Sequence, residues 1–286
     1  GNAVNSRPLS QKEVVEAYDY VVKHIFPLLG LTGDGDAKPI GSFKKKIETE
    51  TSGDVDIAIL SDRIAGVNNL SLEGVLNFIE TVLQKNGYET SKSIGFNQVS
   101  FSLPINGKST NGFAQIDLML TDNLEFSDFM YYSPDFTKSE SKYKGLYRNL
   151  LLMCIINNLD RKTTKTTDKG ETKEYQSYVL RLNQGIVKVT KSFEGSKGLV
   201  KTAKLLKDQD IFITNTPDII TELAFGNKIK SSDILTFENI RKFTTDTKFI
   251  NKDKLEEILN CFSEKINQIK VPVPIECVND YPNIFK

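Results

Sequence analysis

The spacing of apolar residues changes twice along this chain. Val14, Val15, Tyr18, Val21, Val22, Ile25 and Phe26 recur at helical intervals, which gathers them on one face of an α-helix. Ser10 and Glu13 have capping-box spacing ahead of that run, and Pro27 ends it. The spacing then shortens. Residues 38–40, 54–60, 98–103 and 113–120 are brief apolar or alternating runs that predict strands. Between the first two of these lies the turn Gly41-Ser42, and Asn106-Gly107 joins the last two as a hairpin turn. Leu72, Val75, Leu76, Ile79, Val82 and Leu83 predict a helix that stops near Asn86-Gly87. Helix, strand, strand, helix and hairpin make an α/β order with a mixed sheet.

After Asp122 the periodicity becomes mainly helical, which predicts two domains, 1–125 and 126–286. An aromatic loop, Tyr131-Tyr132-Ser133-Pro134-Asp135-Phe136, leads through Lys144 and Arg148 into a buried helix over 150–156. Residues 161–173 read as a Lys/Thr-rich surface loop, and regular structure resumes over 175–182. Helices are predicted over 199–206, after Pro217, and through Leu255, Ile258, Leu259, Phe262 and Ile266. The tail over 271–282 carries Pro272, Pro274 and Pro282 and reads as extended.

The chemistry gathers where the strands begin. Asp54 and Asp56 are two apart on a strand, so their carboxylates share a face while Val55 and Ile57 turn to the core. Neighbouring carboxylates repel unless a cation stands between them, and a hard divalent ion is the usual partner of oxygen ligands. Asp117 is a lone acid inside the apolar run 113–120, where an uncompensated charge would be costly. If the two strands are neighbours, Asp117 completes a three-carboxylate metal site. The Gly41-Ser42 turn, with amides and a hydroxyl, suits phosphate, and Lys44, Lys45 and Lys46 follow it. Lys144 and Arg148, four apart, are candidates for the phosphates as well if the helix starts before Gly145. Otherwise they form a solvated basic turn.

Gly41-Ser42, Gly53-Asp54-Val55-Asp56 and Ile116-Asp117 together resemble the signature of the DNA-polymerase-beta-like nucleotidyltransferase superfamily, over residues 10–120. The resemblance implies a nucleotidyltransferase-like palm followed by a mainly helical domain. It implies that Asp54 and Asp56 hold two magnesium ions and that Asp117 holds the catalytic one near an acceptor hydroxyl. Gly41 and Ser42, with Lys44 beside them, would contact a nucleoside triphosphate, with ATP as the expected donor. The stretch Ile47-Glu48-Thr49-Glu50 makes the gap before Asp54 longer and more acidic than in the polymerase branch. The branch is therefore unassigned.

Composition leaves the acceptor open. The 286 residues carry 37 Lys plus Arg and 37 Asp plus Glu, so no overall charge draws in a polynucleotide. Lys188, Lys191, Lys197, Lys201, Lys204 and Lys207 form the candidate basic patch for RNA or DNA, and a small acceptor is the alternative. Cys154, Cys261 and Cys277 are scattered and read as reduced thiols of a cytoplasmic protein. No apolar run approaches the ~20 residues that span a bilayer. The Gly/Asp stretch over 31–39 lacks the later ligands of a calcium loop, and Asn106-Gly107-Lys108-Ser109-Thr110 lacks the spacing of a phosphate loop.

Overall fold

The computed structural model describes residues 2–64, 66–159, 164–167, 170–194 and 204–285. The chain forms two compact units, Gly1–Lys142 and Tyr143–Lys286. Its fold class is α/β, a mixed palm sheet followed by a mainly helical region.

In the first unit, strands β1 (Ala37–Pro39), β2 (Val55–Leu60), β3 (Thr90–Ser93), β4 (Gln98–Pro104) and β5 (Phe113–Thr121) form one sheet in the order β1-β2-β5-β4-β3. β2 and β5 run parallel, and every other pairing is antiparallel. Alternation decides which side chains enter the core. Val55, Ile57 and Ile59 of β2, Ile116, Leu118 and Leu120 of β5, and Val99, Phe101 and Leu103 of β4 are all buried in one cluster. Helices α1 (Gln11–Tyr20) and α2 (Leu72–Lys85) add Val14, Ala17, Val75, Leu76, Ile79 and Leu83 to it. Burial of each large aliphatic side chain contributes about 1.5–3 kcal/mol, so this one face fixes the register of the central strands. The opposite face carries Asp56, Gln115, Asp117, Gln98 and Ser100. A short helix, α3 (Leu124–Met130), follows β5, capped by the Asn123 side chain.

α1 starts as its sequence predicts: Ser10 accepts from the Glu13 amide, and Glu13 accepts from the Ser10 amide. Its continuation widens into a π turn, Val21–Ile25, and then tightens into a 3-10 turn, Phe26–Leu29, around Pro27. Glu13 also binds Arg7, whose amide donates to the Phe113 carbonyl at 2.9 Å. The Gly/Asp turn is closed by Asp36, which accepts from the amides of Thr32 and Gly33 at 2.8 Å each. This carboxylate serves the loop's own backbone.

The second unit holds α4 (Gly145–Asn157), α5 (Pro217–Phe225), α6 (Phe237–Thr244), α7 (Lys252–Ile269) and α8 (Ile275–Asp280). Tyr143, Tyr147, Phe237, Phe262 and Phe285 pack their rings together, with Phe237 stacked on Phe262 at 5.8 Å. The unit also contains a sheet that local periodicity does not reveal. β6 (Thr164–Thr167), β7 (Gly170–Arg181), β8 (Gly185–Glu194) and β9 (Lys204–Thr214) form an antiparallel meander. Three sequence expectations are corrected here. The helix predicted over 199–206 is strand from Lys204 onward, and the remainder, with Lys197 and Lys201, lies outside the described residues. The predicted loop over 161–173 contains β6 and the start of β7. The predicted extended tail turns into α8 immediately after Pro274. In the first two cases the ladder partners come from elsewhere in the chain, so no local period announces them. In the third, Pro274 stands before the first helical turn, where its missing N–H costs nothing.

Arg7's hydrogen bond holds the Glu13 carboxyl down at about 2, against an ordinary 4.5. A carboxyl depressed in the folded state stabilises fully above its unfolded value and loses that contribution as pH falls toward the folded one. Glu13→Gln is therefore expected to unfold more easily than wild type near neutrality, with the difference disappearing as denaturation is followed from pH 5 down to about 2. A difference independent of pH would contradict this role.

Candidate active site

Three carboxylates meet because two strands are parallel and in register. Asp56 of β2 lies opposite Asp117 of β5, with Val55 opposite Ile116 on one side and Ile57 opposite Leu118 on the other. Asp54, just before β2, falls on the same face as Asp56. One oxygen of each of Asp54, Asp56 and Asp117 lies within 4.8 Å of the others. The Gly41-Ser42 turn sits against this cluster. Ile40 donates its amide to the Asp56 carbonyl at 3.0 Å. Gly41 has φ +70°, and a Cβ there would stand 3.1 Å from Asp56 Oδ2. Glycine is favoured at this position both by its backbone conformation and by the close approach to the carboxylate.

Burial first, and then the charge of Asp117, raise the Asp54 carboxyl above its ordinary value. Burial, then Asp54, then Asp117 push Asp56 well above its own. The donor set is all oxygen, as hard divalent cations require. Oxygens sharing one magnesium ion at about 2.0–2.1 Å stand at most about 4.2 Å apart. Three carboxylate oxygens within 4.8 Å of one another would draw together around one ion. The residues fit a divalent cation. Asp117 is 5% exposed and is anchored through one oxygen: Ser100 Oγ donates to its Oδ1 at 2.6 Å, and Gln115 Nε2 at 2.9 Å.

A palm with a glycine-serine turn, an Asp-x-Asp strand and a third aspartate on the adjacent strand is now complete. This is the arrangement that the resemblance of the sequence to polymerase-beta-like nucleotidyltransferases implies. No family model matches the sequence, and no curated protein matches it. Among solved structures, the chain is similar to the Leishmania infantum polymerase beta ternary gap complex, with 18% identity over 58% of this chain and 51% of that one, at a TM-score of 0.35. It is also similar to a cytoplasmic RNA terminal U-transferase, with 16% identity over 57% of each chain, at a TM-score of 0.28. Cid1 in complex with its short product ApU is a third, with 15% identity over 53% and 41%, at a TM-score of 0.28. The chain spans about half the length of the polymerase structure named first.

The cations named from the sequence are distributed unevenly. Lys44 is exposed, has a left-handed backbone (φ 58°), and holds its Nζ 5.4 Å from the neighbouring Phe43 ring. Lys45 turns inward: its Nζ donates to the Ser133 carbonyl at 2.8 Å and lies 3.8 Å from the Tyr132 ring centre. Burial lowers its pKa. Lys46 donates to the Thr51 carbonyl. Lys144 is exposed and occupies the N-cap position of α4, whereas Arg148 is 1% exposed and donates from Nε to the Ile234 carbonyl at 2.9 Å. The two do not share a helix face, because α4 begins only at Gly145.

Sequence reasoning missed Ser100, Gln115 and Tyr131. Strand alternation carried the signal for the first two, since Gln115 is two residues from Asp117 and Ser100 is a polar position in an alternating run. The Tyr131 hydroxyl is buried without a hydrogen-bond partner among the described residues, and burial followed by the Asp56 charge raises it to about 12.

A carboxyl whose folded pKa is raised favours folding below its unfolded value, and that advantage is lost as pH rises through the folded one. Without divalent cations, Asp54→Asn should therefore melt above wild type at pH 7, with the gap closing as pH falls toward 3.8. Added magnesium should raise the wild-type melting temperature and leave the variant much less affected. Equal shifts in both proteins would exclude Asp54 as a ligand.

Proposed function

We propose that this protein is a magnesium-dependent nucleotidyltransferase. It would transfer a nucleoside monophosphate from a nucleoside triphosphate, ATP first among candidates, to a hydroxyl, with an RNA or other nucleic-acid 3′ end as the leading acceptor. The observation that carries this is the convergence of Asp54, Asp56 and Asp117 within 4.8 Å beside the Gly41 turn. The acceptor oxygen would form a bond to the α-phosphorus while the bond to the β-phosphate oxygen breaks, and pyrophosphate leaves. Two bound cations would lower the pKa of the acceptor hydroxyl and neutralise charge on the triphosphate. Asp54 and Asp56 are assigned to hold both ions, and Asp117 to hold the one nearest the acceptor. The Gly41-Ser42 turn and the exposed Lys44 are assigned to the donor phosphates. Lys45 braces the turn instead, because its ammonium is committed to Ser133 and Tyr132.

The lysines of 188–207 support a polynucleotide acceptor at the level of sequence. Their backbone lies in strands where it is described, so they form no single helical stripe. A small hydroxyl compound is the alternative acceptor, consistent with the balance of 37 cationic and 37 anionic residues.

The test pairs two measurements on wild type and Asp117→Asn: triphosphate affinity with magnesium, and single-turnover transfer of labelled nucleotide. Total RNA, DNA oligonucleotides and small hydroxyl compounds are the acceptors. Asp117→Asn should keep much of the donor affinity and lose at least ~100-fold in transfer rate, the lower end for positioned proton transfer. Near-normal transfer by this variant would remove Asp117 from the site.

A further inference from the structure

Two chains of hydrogen bonds end on the same oxygen of Asp117. In the first, the Ala3 amide donates to Gln115 Oε1 at 3.1 Å, and Gln115 Nε2 donates to Asp117 Oδ1 at 2.9 Å. An amide N–H can only donate, so it demands the oxygen end of the Gln115 side chain and leaves the NH2 end facing the carboxylate. In the second, Gln98 Nε2 donates to Ser100 Oγ at 3.0 Å, and Ser100 Oγ donates to Asp117 Oδ1 at 2.6 Å. A serine hydroxyl has one proton. The first chain is directed by the Ala3 amide, and the second by the carboxylate, which only accepts when ionised and so takes the Ser100 proton and leaves the hydroxyl oxygen to accept from Gln98.

The three side chains at the end of these chains are almost fully enclosed: Ser100 is 2% exposed, Gln115 3% and Asp117 5%. All are polar residues placed on one sheet face by alternation, with Ser100 directly opposite Asp117 in the β4–β5 ladder. Both donors are neutral. They orient the carboxylate without supplying a positive charge that would compete with a cation.

We propose that Ser100 and Gln115 are positioning residues for the third carboxylate. By occupying Oδ1 they would present Oδ2 to the cation, with the Ala3 amide directing Gln115 and Gln98 donating to Ser100 from behind. This rests on the assignment of Asp117 as a metal ligand. Partners of this kind usually contribute about 10–100-fold to metal affinity or activity.

Manganese alone is the probe, titrated calorimetrically into the full chain. Ser100→Ala removes only the hydroxyl, and Gln115→Met keeps the length of the side chain without its amide. Gln98→Met, at a half-buried position, is a third variant that leaves Ser100 in place without the donor behind it. Ser100→Ala and Gln115→Met should each weaken manganese binding by about 10-fold or more, Gln98→Met less so, and Ser100→Thr should restore it. Melting curves without cation establish that each variant is folded. Wild-type binding that does not depend on Asp54 and Asp117 would remove the metal assignment, and this inference with it. Binding that depends on both aspartates but is unchanged in the Ser100, Gln115 and Gln98 variants would overturn this inference alone.

Discussion

The parallel pairing of β2 with β5 is the constraint on which the site depends. It sets Asp56 opposite Asp117, and it is enforced from the other side of the sheet. Val55, Ile57, Ile59, Ile116, Leu118 and Leu120 must all face the core helices. A slip of one residue would turn this apolar set outward and carry the aspartates into the core. The hydrophobic effect therefore holds together carboxylates that electrostatics alone would drive apart; burial first, and their mutual charge after it, raise Asp54 and Asp56 above the ordinary carboxyl range. A divalent cation bound there would relieve that opposition and couple binding to stability.

The turn before β2 is held with similar economy. Gly41 can approach Asp56 because it has no side chain. On the far side of the turn, Lys45 joins it to the aromatic loop by donating to Ser133, while its carbonyl accepts from the Phe136 amide at 2.8 Å. Tyr132 in turn donates to Glu140 at 2.6 Å. The middle lysine of the three thus braces the turn, and Lys44 is left exposed to solvent beside it.

Much of the first unit was legible in the sequence because its signals are local. The capping box at Ser10, the alternation around Asp54 and Asp117, and the Gly41-Ser42 turn each state their structure within a few residues. Lys44 was singled out by its nearness to the turn, but the inward direction of Lys45 was not visible, since it depends on Ser133, 88 positions later in the chain. Arg148 was a phosphate candidate by its spacing from Lys144, but it lies on the buried face of α4 and donates to the Ile234 carbonyl, a partner 86 positions later. The meander β6 to β9 was least visible. Its strands are stabilised by partners across the ladder, and its Lys- and Thr-rich composition resembles that of a loop.

The account stands on one cation-binding geometry, and diffraction tests it directly. Crystals of the full chain soaked with manganese and a non-hydrolysable nucleoside triphosphate should show anomalous density enclosed by Asp54, Asp56 and Asp117, with the triphosphate lying against the Gly41-Ser42 turn. Manganese bound with the triphosphate at another place, and no anomalous density among these three carboxylates, would contradict it.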